Sequence, residues 1–391
     1  MSIFKLENPI QHYEWGNIDA VTKLFGINNP DHKPLAEIWM GAHPKAPSSV
    51  NNCSETLCDL LARKPELLGN SSIEQFGPAL PFLFKVLFVA KPLSIQAHPN
   101  KQQALEGFAR ENTEGIPVNA PNRNYRDNNH KPELVYALTA FKAMNGFRSQ
   151  EEIIRLFRMA DLQELEQALL KLEESANLKQ FYQSLMTLPE QIKQNLMSRA
   201  LSYAAESKDP AWQEVQKLSV FHPGDIGVLS PLLLNIITLA PGEAMFLKEG
   251  TLHAYLEGTA MEIMACSDNV LRGGLTPKHV DIDELLKAIK FTTSSYNALK
   301  TSPLPEENGE TRFPVPANDF AFSVIDSTEA SERFQVSSAE ILFCLDGYFT
   351  ISHSNETLQL SQGQSCFIGA DAGSYKLEGT GRVARASSTL T

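Results

Sequence analysis

Twenty consecutive positions of this chain return later in the same register and without a gap. Leu239-x-x-Gly242-x-x-x-Phe246-Leu247, followed by Leu256-Glu257-Gly258, recurs 121 residues on as Leu360-x-x-Gly363-x-x-x-Phe367-Ile368, followed by Leu377-Glu378-Gly379. Six of the twenty positions are identical. A constant offset of this kind argues for two copies of one β unit. Both copies read as hairpins of short strands with glycine turns. Asp346-Gly347, set between Ile341–Leu345 and Tyr348–Ser352, is one such turn. Short strands at regular spacing predict a sandwich or barrel of the jelly-roll type. The copies differ at their centre, where His253 in the first faces Ser374 in the second. If His253 is a metal ligand, the second copy cannot bind in the same way and is a structural unit.

The length of 391 residues allows two to four domains. Residues 1 to about 100 read as strands and loops with few short helices. Ser54 is a candidate N-cap for a helical stretch to about Leu61, with no capping box. From 150 to about 219 the pattern becomes helical, over 151–175, 178–186, 189–206 and 211–218. Ser149 followed by Glu152 reads as a capping box, and Ile153, Leu156, Phe157 and Ala160 as one apolar stripe. The strand pattern resumes at Gly224–Val228. A short helix over Asp281–Lys290 and a proline-rich connector over Ser302–Pro316 separate the two copies. The predicted architecture is mainly β: a first unit over 1–148 and 223–300, interrupted by a helical insertion over 149–222, and a second unit over 301–391.

The net charge of −12 repels phosphate backbones, which argues against nucleic acid as a partner. An anionic substrate needs a local basic pocket against that background. No run of about eighteen apolar residues occurs, so no membrane span is expected. The N-terminus lacks a cationic stretch followed by an apolar run, so no secretory signal is expected. The five cysteines, Cys53, Cys58, Cys266, Cys344 and Cys366, form no CxxC pair, and their odd number argues against a disulfide framework. A reducing cytoplasm is the simplest compartment.

Several polar residues stand out within β sequence. Ser94–Asn100 alternates apolar and polar, so Ser94, Gln96 and His98 share one strand face, from which Gln96 and His98 can reach a single ion. The alternative is a strand end facing water. Pro132 forces Lys131 to be extended, so Glu133 opens a strand, either at a watery edge or aimed into a cavity. Lys85 lies inside the apolar run Pro81–Val89. Its head either snorkels to an edge or faces a polar cavity and binds an anion. Glu262 shares a face with Ala260 and Met264. Taken together, Gln96, His98, Glu133 and His253 offer nitrogen and oxygen donors without a thiolate. That set suits zinc and also manganese, iron or cobalt.

Four separated motifs, Ser94–Asn100 (SIQAHPN), His130–Leu138 (HKPELVYAL), Glu249–Gly258 (EGTLHAYLEG) and Leu271–Leu285 (LRGGLTPKHVDIDEL), resemble in sequence and order those of type I phosphomannose isomerases. The resemblance extends from Tyr13-Glu14-Trp15-Gly16 to the C-terminal β unit. It implies a cupin-type jelly-roll catalytic domain, a helical insertion and a second, degenerate jelly roll. It further implies one zinc held by Gln96, His98, Glu133 and His253, and interconversion of mannose 6-phosphate and fructose 6-phosphate through a cis-enediol. Arg272 falls on the family's active-site arginine, with a role on the enediolate or the phosphate. Lys131 and His130, just before Glu133, are the candidates for proton transfer, and the sequence does not choose between them. Lys85 and Glu262 are candidates for contacts with the sugar. The expected partner is a small sugar phosphate bound by a cytoplasmic monomer. Two rival readings remain at this stage. His98, Glu133 and His253 also form the two-His-one-carboxylate set of iron(II) oxygenases, and a non-catalytic sugar-binding jelly roll could keep the fold without the chemistry.

Overall fold

The computed structural model describes residues 2–51, 54–306 and 308–389. The chain is mainly β, with two antiparallel sheets of eleven and nine strands. The eleven-stranded sheet is built around one long strand, His253–Ala265. Its second half pairs on one side with Phe82–Val89 and on the other with Glu133–Ala137. Its first half pairs with Phe141–Phe147, and His253 itself pairs with Gln96. The strand changes neighbours at a bulge between Tyr255 and Glu257, followed by Gly258 at φ +119°. A Cβ on Gly258 would lie 2.4 Å from the Ala140 carbonyl oxygen, so the corner requires glycine.

The repeat is visible in the backbone. Ala244–Leu247 and Ser365–Ile368 are strands of equal length at the predicted offset. His253 and Ser374 each open the long strand of their unit, and Gly379, at φ +150°, repeats the corner made by Gly258. A Cβ there would lie 2.1 Å from the Tyr348 carbonyl oxygen.

The nine-stranded sheet holds the C-terminal strands, with Ser374–Ser387 between Ala321–Gln335 and Glu340–His353. Its far edge is not C-terminal. Ile3–Glu7 pairs with Ser365–Ile368 and, on its other side, with Ser49–Val50. The two sheets share a core in which Phe84, Phe88 and Tyr136 meet Phe322 and Phe343. Burying such aromatic side chains contributes roughly 1.5–3 kcal/mol each.

The helical insertion is present as Gln150–Arg158, Glu166–Ser175, Leu178–Met186, Glu190–Glu206 and Pro210–Phe221. The expected stripe Ile153, Leu156, Phe157 packs on Trp212, whose indole N–H donates to the Leu156 carbonyl at 3.1 Å. The same cluster includes Leu271 and Leu275, so the insertion is joined to the catalytic sheet through an apolar core.

Several local expectations are corrected. Ser94–Asn100 supplies only a two-residue strand, Gln96–Ala97, because its partners His253 and Leu271–Arg272 are themselves short there. The stretch 151–175 is two helices, broken after Arg158. Ser149 does accept from Glu152 N–H, but the Glu152 carboxylate turns to Arg155 at 2.8 Å rather than closing a capping box. Thr56, not Ser54, caps the helix Leu57–Arg63, and it forms a full capping box with Asp59. Gly224–Val228 is not a strand: Asp225 caps a tight turn over Ile226–Leu232, and the next strand is Leu234–Leu239. The proline-rich connector carries the short strands Leu304–Pro305 and Glu310–Arg312. Cys53 lies outside the described residues.

Candidate metal centre

Three strand ends bring His98, Glu133 and His253 together, with one ligand atom from each lying within 4.8 Å of the others. Glu133 opens its strand as Pro132 dictates, and His253 opens the long strand of the repeat. Their side chains are almost wholly buried, at 1%, 1% and 0% exposure. Each imidazole is fixed by its other nitrogen: His98 Nδ1 donates to the Asn269 carbonyl at 2.7 Å, and His253 Nδ1 to the Thr251 carbonyl at 3.0 Å. A carbonyl only accepts, so Nδ1 carries the proton and Nε2 keeps its lone pair. Burial first, then the Lys131 cation, push His98 down to about 4, so it is neutral at physiological pH.

Both Nε2 atoms are buried without a hydrogen bond, yet each stands 3.3 Å from an oxygen of Glu133. Burial works to raise the Glu133 carboxyl, but the Lys131 cation overcomes it and holds the group well below the usual carboxylate range. Two nitrogen lone pairs and a carboxylate facing one another repel. Orphaned buried polar atoms are costly, and a divalent cation between them removes both penalties. The donors and their hydrogen-bonded carbonyls match the way metal-ligating histidines are oriented. Gln96, paired directly across from His253, presents its amide to the adjoining cavity.

That cavity, about 820 Å³, is walled by Gln96, Lys131, Glu133, Lys85, Glu262 and Arg272 among others. Lys131 Nζ lies 2.9 Å from Glu133 Oε1. Lys85 takes the second of its two sequence readings, inside a polar cavity, but its partners are carboxylates of the protein. It lies 3.0 Å from Glu262 and 3.8 Å from Glu37, over the ring of Trp39. Burial opposes its charge, but these two carboxylates raise its pKa. Glu262 also accepts from the Tyr255 hydroxyl at 2.9 Å. The bulge explains how odd-numbered Tyr255 shares the cavity with even-numbered Glu262: the extra residue reverses the alternation.

His130 is a correction. It does not line this cavity. Its Nδ1 meets Glu249 at 2.7 Å and its Nε2 meets Asp319 at 2.9 Å. Burial lowers its pKa, but these two hydrogen bonds prevail and raise it to about 9. Both ring nitrogens are committed as donors, so His130 is an imidazolium clamp between the catalytic sheet and the C-terminal unit.

Arg272 pairs through its backbone with Gln96 and lines the cavity beside Lys278. Among the described residues no carboxylate acts on either: burial and then Arg126 lower the pKa of Arg272; burial, then Arg272 and Arg126, lower that of Lys278. Positive charge that no carboxylate offsets, in a chain of net charge −12, is what an anionic ligand requires. Tyr255, Glu37, Lys278 and Arg126 were not anticipated. Tyr255 was readable as the next same-face residue after His253, and Lys278 lay within the quoted 271–285 motif.

Comparison with known proteins agrees with this geometry. Residues 3–150 match the family model "Phosphomannose isomerase type I, catalytic domain", and residues 309–388 match "Mannose-6-phosphate isomerase, cupin domain". Mannose-6-phosphate isomerase of Escherichia coli (strain K12) is 44% identical over 391 residues, covering 99% of this chain and 100% of that protein. The Homo sapiens mannose-6-phosphate isomerase is 34% identical, covering 94% of each. A solved structure of the Salmonella typhimurium enzyme, bound to fructose 6-phosphate and zinc, superposes with a TM-score of 0.94 at 43% identity over the whole of both chains. The chain belongs to the type I phosphomannose isomerase family.

Proposed function

We propose that this protein is a zinc-dependent aldose–ketose isomerase that interconverts mannose 6-phosphate and fructose 6-phosphate. The observation that carries the reading is the pairing of two orphaned histidine nitrogens around Glu133 with uncompensated cations in the adjoining cavity. His98, Glu133 and His253 would hold the zinc, with Gln96 as the fourth ligand. When bound, zinc supplies a Lewis acid that polarises the sugar carbonyl. Arg272 and Lys278, with Arg126 beside them, bind the phosphate. Lys131 is the proton-transfer group between C1 and C2, since of the two sequence candidates only it reaches the cavity. The Glu262 carboxylate, oriented by Lys85 and Tyr255, positions the sugar hydroxyls. The resulting intermediate is a cis-enediol, and a positioned base of this kind is worth about 10²–10⁴-fold.

The net charge of −12 supports the absence of a nucleic-acid partner. The free thiols Cys58, Cys266, Cys344 and Cys366 support a cytoplasmic location. Among the described residues no helix is long and apolar enough to cross a membrane. The test is to assay purified protein, loaded with zinc, for conversion of mannose 6-phosphate without oxygen. Chelation should abolish the activity and zinc restore it. Activity that survives chelation rules out the metal, and oxygen consumption with a sugar substrate would favour the oxygenase reading.

A further inference from the structure

The loop that carries Arg272 and Lys278 has an unfavourable backbone, and the turn that follows the helical insertion holds it there through one carboxylate. Gly274 sits at φ +120°, and the following Leu275, a buried branched residue, at φ +54°. A left-handed leucine persists only where its surroundings over-determine it. On one side the loop exchanges backbone hydrogen bonds with Ile95, the neighbour of Gln96, at 2.8 and 3.0 Å. On the other side stands Asp225, at the start of the turn that the sequence read as a strand. Its Oδ1 accepts from Gly227 N–H at 2.7 Å, and its Oδ2 accepts from Thr276 N–H at 3.0 Å. The Thr276 hydroxyl in turn accepts from Lys278 N–H at 3.1 Å. The contact is close: a Cβ on Gly227 would lie 2.8 Å from Leu275 N.

We propose that Asp225 is a positioning residue for the phosphate clamp. It touches no substrate. By accepting two backbone N–H groups with two different oxygens, it fixes Thr276 against the turn over Ile226–Leu232 and so sets the spacing between Arg272 and Lys278. An asparagine can accept only one of the two bonds and turns an N–H donor toward the other. The inference rests on the reading of Arg272 and Lys278 as the phosphate site.

The experiment compares Asp225→Ala, Asp225→Asn and Arg272→Ala in the zinc-loaded enzyme. It measures KM and kcat for mannose 6-phosphate, inhibition by inorganic phosphate, and zinc content. In Asp225→Ala, KM and the phosphate inhibition constant should rise together by about tenfold, the scale of a lost charge-assisted hydrogen bond. Zinc content and kcat should change little, the signature of lost uniform binding. Asp225→Asn should fall between that variant and the parent, and it carries the test if Asp225→Ala does not fold. If Arg272→Ala weakens phosphate while both Asp225 variants do not, the positioning role is overturned and the clamp stands. If kcat or zinc falls at unchanged KM, Asp225 is only structural. If Arg272→Ala leaves phosphate inhibition unchanged, the clamp itself fails and this inference with it.

Discussion

The two β units share a blueprint and differ in how their buried charges are settled. In the C-terminal unit Arg385 lies 2.5 Å from Glu340 and 3.0 Å from Glu310, and Glu340 also accepts from the Tyr375 hydroxyl at 3.3 Å. With Arg312 3.8 Å from Glu310, two cations meet two carboxylates and the charges balance. In the catalytic unit, among the described residues, two buried histidine nitrogens lack partners and no carboxylate acts on Arg272 or Lys278. The contrast teaches how to tell a scaffold from a site on one fold. A closed ion network is structural, whereas polarity left open in a buried place is completed by something that binds.

The largest effect should come from removing a group the open site depends on. Glu133→Ala should lose zinc by metal analysis and fall to background activity, while the far-ultraviolet spectrum of the helical insertion is retained. A fully loaded site in that variant would exclude Glu133 as a ligand. Lys131→Gln should keep zinc and lower kcat by about 10²–10⁴-fold; unchanged turnover would return the proton-transfer role to an unassigned group. The closed network makes the opposite forecast. Arg385→Met leaves two buried carboxylates facing each other and should cost about 3–5 kcal/mol of stability, read from denaturant unfolding. Below the shifted midpoint its kcat/KM should match the parent, and a selective loss of activity would break the comparison.

A smaller effect concerns pH. Because burial and then Arg272 and Arg126 depress Lys278 below its ordinary 10.5, its charge is lost earlier as pH rises. KM for mannose 6-phosphate should therefore climb on the alkaline side, and Lys278→Arg should remove that climb because a guanidinium keeps its proton. A profile identical in both proteins would take Lys278 out of the clamp. The smallest effect is none: Ser374→Ala, which loses only a hydrogen bond from Arg333 at 3.2 Å, should leave activity intact. A dead enzyme would contradict the structural assignment of the second copy.

The sequence carried most of this division. Gly258 and Gly379 punctuate the repeat because both corners exclude a side chain, so the register was readable from glycine positions. Glu133 was legible as the polar residue that opens a strand after Pro132, and His253 as the central position at which the two copies of the repeat differ. His130 was misread because proximity in sequence to a ligand says nothing of rotation: residues 130 and 133 are an odd number apart, and in extended chain that sends the two side chains to different faces. Asp225 was hidden for another reason. Its partner, Thr276, lies about fifty residues away, and a bond from a side chain to a backbone N–H leaves no trace in residue type.

The pairing of Ile3–Glu7 with Ser365–Ile368 has a consequence for synthesis. The strand Ile3–Glu7 leaves the ribosome about 360 residues ahead of its partner, so that edge must wait for the whole intervening stretch before it is covered. Closing so long a loop is slow, and until then an unpaired apolar edge is open to other chains. Newly made protein should therefore be most prone to aggregate before residue 365 has emerged, and a nascent chain stalled short of residue 365 should be more protease-sensitive around residues 3–7 than one extended past residue 368.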